Sequence, residues 1–296
     1  MTKTSIEWAT DVWNPVTGCT KVSQGCKNCY AERIAERFWG ERKFTDVQLH
    51  PDRLEDPMHW KKPRRVFVNS MSDLFHPDVS YDFIGDVIET ISKCPQHTFM
   101  VLTKRPERMQ FIFSKVMKYL AEKPLPNLWL GVSVEDQKTA DERIPLLLQT
   151  PAAVRFVSCE PLLEPVDINI SIFGFHREYG NPMPPKFSWV RGNGLDWVIC
   201  GGESGSGARP MHPDWARSLR DQCQAASVPF FFKQWGEWAP PYMDRHGYEE
   251  NEIDGSCTHY PTYHIFDDRK IMERVGKNAA GRLLDGREWN EYPPHP

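Results

Sequence analysis

The stretch Cys19-Thr-Lys-Val-Ser-Gln-Gly-Cys26-Lys-Asn-Cys29-Tyr30 holds three cysteines within eleven positions, with the helix-like AERIAERF directly behind it. Thiolates grouped in this way are ligands for a metal or an iron–sulfur cluster. Three of them cannot complete a tetrahedral or cubane site, and the missing fourth ligand is the informative part. On a [4Fe–4S] cube it leaves one iron open, where the amino and carboxylate groups of S-adenosylmethionine can chelate. An electron passed to the sulfonium then breaks a carbon–sulfur bond and yields a 5′-deoxyadenosyl radical, which takes hydrogen from an unactivated carbon. Zinc is the competing occupant, held by the same cysteines and a histidine such as His50 or His59 in a purely folding role. Zinc ribbons usually pair one Cys-x-x-Cys with a second, and there is no second pair here.

The other five cysteines, Cys94, Cys159, Cys200, Cys223 and Cys257, stand singly. Cys159 and Cys200 end apolar runs, where small buried thiols are common. All five read as structural thiols of a reducing compartment rather than as disulfide partners.

A second, more diffuse pattern spans the chain. Polar residues follow nearly every apolar run: Asn69, Ser70, Ser72 and Asp73; Thr103, Lys104 and Arg105; Ser133 and Glu135; Ser158 and Glu160; Gly201, Gly202, Glu203 and Ser204; Lys233, Gln234 and Trp235. At the ends of parallel barrel strands all of these face one mouth, as a site assembled from several strands requires. Taken singly, each is as well explained as the start of a loop. Gly201-Gly202-Glu203 lets backbone approach a ligand closely and offers a carboxylate to ribose hydroxyls or an amine. Lys104 and Arg105 suit a carboxylate or phosphate. Trp8, Trp13, Tyr30, Trp235 and Trp238 lie near the same segments, to stack on a base or to pack the core.

These positions need elements to hold them. Short apolar runs predict strands at Val66–Asn69, Thr98–Leu102, Leu128–Val132, Val154–Val157, Asp196–Cys200 and Pro229–Phe232, with a seventh around Val12–Val16. Nearly continuous apolar character marks strands buried on both faces. Between them Tyr81–Lys93, Pro106–Glu122, Asp136–Leu148 and Pro213–Ala226 read as amphipathic helices. The alternation predicts an α/β fold with a parallel sheet, a partial or complete TIM-like (β/α) barrel, a doubly wound open sheet being the alternative. The barrel is expected over residues 1–240, with a Gly-, Pro- and aromatic-rich insertion at 167–195 that reads as a lid or a surface hairpin. Residues 241–296 are expected as a C-terminal cap packed on the barrel.

The 296 residues, 40% hydrophobic and 26% charged, suit a globular protein with a sizeable core. No run approaches the roughly 18 apolar residues of a membrane span, and MTKTSIEWATDVW lacks the regions of a signal peptide, so a cytoplasmic protein without membrane contact is expected. A net charge of −4 argues against a protein whose main work is gripping nucleic-acid backbone. Lys61, Lys62, Arg64 and Arg65 form a local basic patch, read as a solvated turn or a nucleic-acid contact.

The chain also resembles a phage- and prophage-associated family of uncharacterised three-cysteine proteins that open with an IEWTDxTWNPVTGC-like segment. Here that segment runs from Ile6-Glu-Trp-Ala-Thr-Asp to Thr-Gly-Cys19, and the resemblance continues through NSMSDLFH, LTKRPERM, GVSVEDQ, SCEPLL, GGESGSGARPM, FFKQWG and VGKNAAGRLLDGREWNEYP, almost the whole chain. The family looks like a divergent branch of the radical S-adenosylmethionine superfamily. Cys-x6-Cys-x2-Cys replaces that superfamily's Cys-x3-Cys-x-aromatic-Cys, with Tyr30 one place beyond the usual aromatic. The resemblance implies a partial TIM-like barrel, a [4Fe–4S] cluster on Cys19, Cys26 and Cys29, and S-adenosylmethionine as second cofactor. It implies cofactor contacts from Tyr30, Asn69, Ser70, Ser72, Ser133, Glu160, Gly201, Gly202 and Glu203. Asp73, Lys104, Arg105, Glu135, Lys233, Gln234 and Trp235 remain for substrate.

The leading expectation is therefore a radical enzyme acting on a nucleobase, nucleotide or nucleic acid, supplied with electrons by an external donor such as flavodoxin or ferredoxin. A zinc-bound structural or nucleic-acid-interaction module is the second reading. A TIM-barrel hydrolase using Glu135, Glu160 or Glu203 as paired carboxylates is the third.

Overall fold

Every apolar run read as a strand lies in a single sheet in the structure, a computed structural model that describes residues 4, 6–168, 194–241 and 263–294. In chain order the strands begin with β1 (Asp11–Trp13) and a short antiparallel pair, β2 (Val16–Thr17) and β3 (Gln48–Leu49). There follow β4 (Arg65–Val68), β5 (Thr98–Thr103), β6 (Leu128–Ser133), β7 (Val154–Cys159), β8 (Trp197–Gly201) and β9 (Phe230–Gln234). Strands β1 and β4 to β9 make one seven-stranded sheet in sequential order, every neighbouring pair parallel. A doubly wound sheet reverses strand order at a switch point, and this one does not. The sheet curls into a half-barrel, the partial form of the expected TIM-like fold.

The two-residue period of the strands divides the core. Phe99 and Val101, Leu128 and Leu130, and Phe230 and Phe232 point outward to the cluster shared with the helices. Met100, Trp129, Trp197, Ile199 and Phe231 point into the barrel with Trp8 and Phe67. Each such side chain contributes about 1.5–3 kcal/mol by leaving water. The inner rings meet edge to face, Trp129 against Trp197 at 6.0 Å and Trp197 against Phe231 at 6.0 Å. Phe156 fits among them because Gly131 has no side chain; a Cβ there would lie 2.5 Å from its ring.

The helices are α1 (Tyr30–Phe38), α2 (Tyr81–Lys93), α3 (Pro106–Phe111), α4 (Lys118–Glu122), α5 (Gln137–Leu148), α6 (Pro213–Ala226) and the short α7 (Lys277–Ala280). Ser80 caps α2 by accepting the Phe83 amide, and Asp136 caps α5 in a reciprocal box with Thr139. The His212 ring caps α6, its Nδ1 accepting the Asp214 amide at 3.1 Å. The single helix expected over 106–122 is instead broken. A π-turn at Ile112–Val116 closes with the Met117 amide on the Ile112 carbonyl, turning Val116 to solvent while Ile112, Phe113 and Met117 stay buried.

After β9 come β10 (Trp238–Ala239), β11 (Tyr263–Ile265) and β12 (Ile271–Arg274), an antiparallel sheet in the order β10-β12-β11. The last described residues return to the barrel. The Phe232 amide donates to the Trp289 carbonyl and the Glu291 amide to that of Phe230, while Tyr292 lies 5.2 Å from Trp197. Most of the insertion expected at 167–195, together with Cys257 and residues 242–262, falls outside the described residues. Among those described, no helix is long and apolar enough to cross a membrane.

Candidate functional site

Seven parallel strands bring their carboxyl ends to one mouth, and along the inward faces the chemistry changes from base to rim. Trp129, Gly131 and Ser133 follow one another on β6, Phe156 and Ser158 on β7, and Phe231 and Lys233 on β9. The aromatic layer is thus a floor, and polar groups begin above it. Two adjoining cavities open there, sharing Cys26, Cys29, Tyr30, Ser70, Lys104 and Ser133 among their walls. The smaller, about 150 Å³, is lined by all three loop cysteines with Asn69, Ser72, Asp73 and Arg105. The larger, about 490 Å³, runs from Cys26 and Cys29 to Ser158, Glu160, Gly202, Glu203, Lys233 and Gln234. That volume lies in the range of small-molecule sites, about 300–1,000 Å³.

Much of the strand-end polarity is spent on holding the cysteine loop across this mouth. Arg105, after β5, donates to the Thr20 carbonyl at 2.9 Å and to Thr20 Oγ1 at 3.0 Å. Glu135, after β6 and fully buried, accepts from Ser23 Oγ at 2.9 Å and is paired with Arg143 at 3.0 Å and Lys104 at 3.4 Å. Asp136 accepts from Gln24 Nε2 at 2.5 Å while it caps α5. Glu203, after β8, accepts from Asn28 Nδ2 at 2.9 Å and from Arg209 Nη2 at 2.7 Å. Arg209 in turn reaches the Gln24 carbonyl at 3.0 Å. Burial alone would raise the Glu203 carboxyl, but the hydrogen bonds from Arg209 and Asn28 hold it below its ordinary value.

The three thiols are free and half-buried. Burial, reinforced by the Asp73 carboxylate, pushes the Cys19 thiol up to about 11 against the opposing charge of Arg105. Among the described residues, the group of metal-ligating side chains found within 4.8 Å of one another is His212, Asp214 and Asp268. In an iron–sulfur cube each thiolate sits on its own iron, and three thiols around one cavity are a donor set that group can take. The His212 group is accounted for by helix capping and the Asp268 contact of 3.0 Å.

Of the residues expected at the site, Tyr30, Asn69, Ser70, Ser72, Asp73, Lys104, Arg105, Ser133, Glu160, Gly202, Glu203, Lys233 and Gln234 line these cavities. Glu160 stands opposite the cysteines with both oxygens on Lys233 Nζ, at 2.8 and 2.9 Å, and one on Gln234 Nε2 at 3.0 Å. Glu135 lies beneath the loop instead, its carboxylate saturated by the loop and its cations. Trp235 is a core residue, 2% exposed, its indole N–H on the Leu283 carbonyl. Trp13 is likewise core, while Trp8 joins the aromatic floor. Gly202 answers to a protein contact, because a Cβ there would lie 1.9 Å from the Trp235 carbonyl oxygen. Gly201 leaves room for Glu160, whose carboxylate oxygen would be 3.2 Å from an added Cβ.

The sequence reading missed Ser23, Gln24, Asn28, Arg143 and Arg209, the partners that fasten the loop. The polar character of every non-cysteine position between Ser23 and Asn28 except Gly25 was the available signal. Half of the basic patch is taken up in structure: Arg64 pairs with Asp11 and covers Trp60, and Arg65 lies 4.3 Å over the Tyr292 ring, while Lys61 and Lys62 are exposed.

A family model described as a protein of unknown function (DUF5131) matches residues 3–293. No curated protein matches the chain. Among solved structures, a cysteine-to-serine variant of spore photoproduct lyase is similar at 13% identity and a TM-score of 0.43, over 93% of this chain and 71% of that one. A doubly substituted variant of that lyase with bound AdoMet and dinucleoside spore photoproduct gives 12% identity and a TM-score of 0.42, over 91% and 69%. What those lyases bind is a property of those lyases.

Proposed function

The chain belongs to the DUF5131 family of unknown function, and from its own residues we propose that it is a radical S-adenosylmethionine enzyme with a [4Fe–4S] cluster on Cys19, Cys26 and Cys29. The observation that carries the reading is that three free, half-buried thiols, with no fourth cysteine beside them among the described residues, line one cavity at the mouth of a parallel half-barrel. When bound, the two cofactors supply reductive cleavage of a sulfonium and an adenosyl radical that abstracts hydrogen.

The chain's own residues bind, orient and exclude water. The loop from Thr20 to Cys29 is fixed to the ends of three strands, β5, β6 and β8, so the thiols are arranged before any ligand arrives. Tyr30 borders both cavities, with its hydroxyl donating to the Ser70 carbonyl at 2.5 Å. Asn69, Ser70, Ser72 and Ser133 offer neutral polar groups to the cofactor near the cysteines, and Glu160 and Gly202 face it across the larger cavity. The aromatic floor closes the barrel beneath and keeps water from entering that way. Lys104, Lys233 and Gln234 are left to meet substrate, for which we propose a nucleobase, nucleotide or nucleic acid. Electrons come from an external donor of the flavodoxin or ferredoxin type. The hydrolase reading gains nothing from the carboxylates: Glu135, Glu160 and Glu203 are each engaged by a lysine or arginine.

Anaerobic expression followed by iron, sulfide and zinc analysis and visible absorbance tests the first step. Brown protein with about four irons per chain supports it. Colourless protein with stoichiometric zinc refutes it. Reduced protein should then convert S-adenosylmethionine to 5′-deoxyadenosine and methionine; an intact cluster that fails to do so would leave the thiols with a structural or electron-transfer role.

A further inference from the structure

We infer that Arg105 is a charge-positioning residue of the three-cysteine site, holding a guanidinium against Cys19 and so favouring added negative charge at that corner. The inference rests on the reading of the three thiols as cluster ligands. Arg105 Nη1 donates to Cys19 Sγ at 3.6 Å and to Asp73 Oδ2 at 3.0 Å. Its Nη2 takes the Thr20 carbonyl and hydroxyl, and its backbone amide donates to Thr103 Oγ1 at 2.9 Å. Asp73 is itself pinned by Thr103 Oγ1 at 2.8 Å and by the amides of Phe75 and Lys104. A planar fork with both Nη groups tied is held against the sulfur, where a lysine in its place would be free to swing.

The other corners differ. Cys26 meets a neutral hydroxyl, Ser23 Oγ at 4.0 Å. The cation on the side of Cys29 is Lys21, half exposed and paired with Glu32 at 2.7 Å, so water and its partner screen it. Arg105 is only 9% exposed, so water screens its charge far less than that of Lys21. Hydrogen bonds to cluster sulfurs and nearby positive charge set the reduction potential by stabilising the more negative, reduced state. Arg105 therefore eases the entry of one electron from the external donor. Asp73 offsets part of the charge and fixes the direction in which it points.

The test is an anaerobic potentiometric titration, followed by electron paramagnetic resonance, of the full-length wild-type chain, Arg105→Gln, Arg105→Lys and Arg37→Gln. The last removes a cation from the exposed face of α1 and serves as control. Iron and sulfide content fixes cluster occupancy in each. Arg105→Gln should lower the midpoint, so that the ratio of reduced to oxidised cluster at a fixed potential falls roughly tenfold, the size of one lost hydrogen bond to a charged group. Arg105→Lys should shift the midpoint the same way by less, and Arg37→Gln should leave it alone. A wild-type midpoint in fully loaded Arg105→Gln overturns the inference. If that variant assembles no cluster, an unshifted midpoint in Arg105→Lys overturns it equally. If the wild-type chain itself holds no iron, the cluster reading fails and the inference falls with it, an outcome distinguished from the others before any variant is made.

Discussion

Replacing Glu203 by Gln should release the cysteine loop while leaving the barrel folded. Glu203 Oε1 accepts from Arg209 Nη2 at 2.7 Å, and Oε2 accepts from Arg209 Nε at 2.9 Å, the Arg209 amide at 2.8 Å and Asn28 Nδ2 at 2.9 Å. A glutamine keeps one acceptor, loses the charge, and turns an N–H toward donors. Removing one partner of a buried pair costs about 3–5 kcal/mol. The Glu203 side chain is 5% exposed but that of Arg209 is 27% exposed, so water recovers part of the loss. About 2–3 kcal/mol remains, which makes opening of the loop roughly 30- to 150-fold more frequent. The assay is amide hydrogen exchange at Cys26 and Lys27, whose N–H groups donate to the Ser23 and Gln24 carbonyls, with the amides of α2 as internal reference. Unchanged exchange at Cys26 and Lys27 would refute the clamp. Equal acceleration in the loop and in α2 would show a global loss of stability instead.

Acid should open the same clamp. A carboxyl held below its unfolded value contributes stability that is present above that value and lost as pH falls through the folded one. Glu203 and Asp136 are both shifted downward, so the protection of the Cys26 amide, its exchange rate relative to the intrinsic rate at the same pH, should fall below the ordinary carboxylate range, at about pH 4 and under. Glu203→Gln should flatten the Glu203 part of that dependence, and an unaltered profile would count against it. Cys19→Ser, Cys26→Ser and Cys29→Ser should each remove most bound iron from anaerobically prepared protein, whereas Cys223→Ala, in the outer core, should retain it; full iron in any of the three serine variants contradicts the ligand set. Gly131→Ala should cost about 1–3 kcal/mol by overpacking against Phe156, read as a lower denaturation midpoint at unchanged slope.

The sheet was legible because its strands are apolar on both faces and bounded by turns: the run at 98–102 grows by one residue, Thr103, and Tyr81–Lys93 has the bounds that its stripe of Phe83, Ile84, Val87, Ile88 and Ile91 implies. Local pattern failed where a hydrogen bond competes within the same composition. The segment 106–122 has an apolar stripe throughout, and nothing in it announces a five-residue turn at Ile112. At the mouth, residue type and strand-end position located the polar ring, but not what each member touches. Glu203 meets Asn28 across 175 residues of chain and Glu135 meets Ser23 across 112. No spacing rule encodes such pairs. Gly202 shows the same limit, since a glycine makes room for any close neighbour, and here the neighbour is the Trp235 carbonyl rather than a ligand.

The stretch around Asn290, bridged to β9, has a bearing on how the molecule behaves in company. An open half-barrel has two raw margins, each a row of unpaired amides and carbonyls able to recruit a neighbour's strand. Along β9 that row is taken, with Phe231 bridged antiparallel to Asn290 and the Phe232 and Glu291 amides both used. The middle of the margin that a second molecule would otherwise extend into a shared sheet is covered from within. The same few residues place Tyr292 against the Trp197 ring, so colloidal behaviour and the firmness of the barrel floor are secured together by one short stretch of chain.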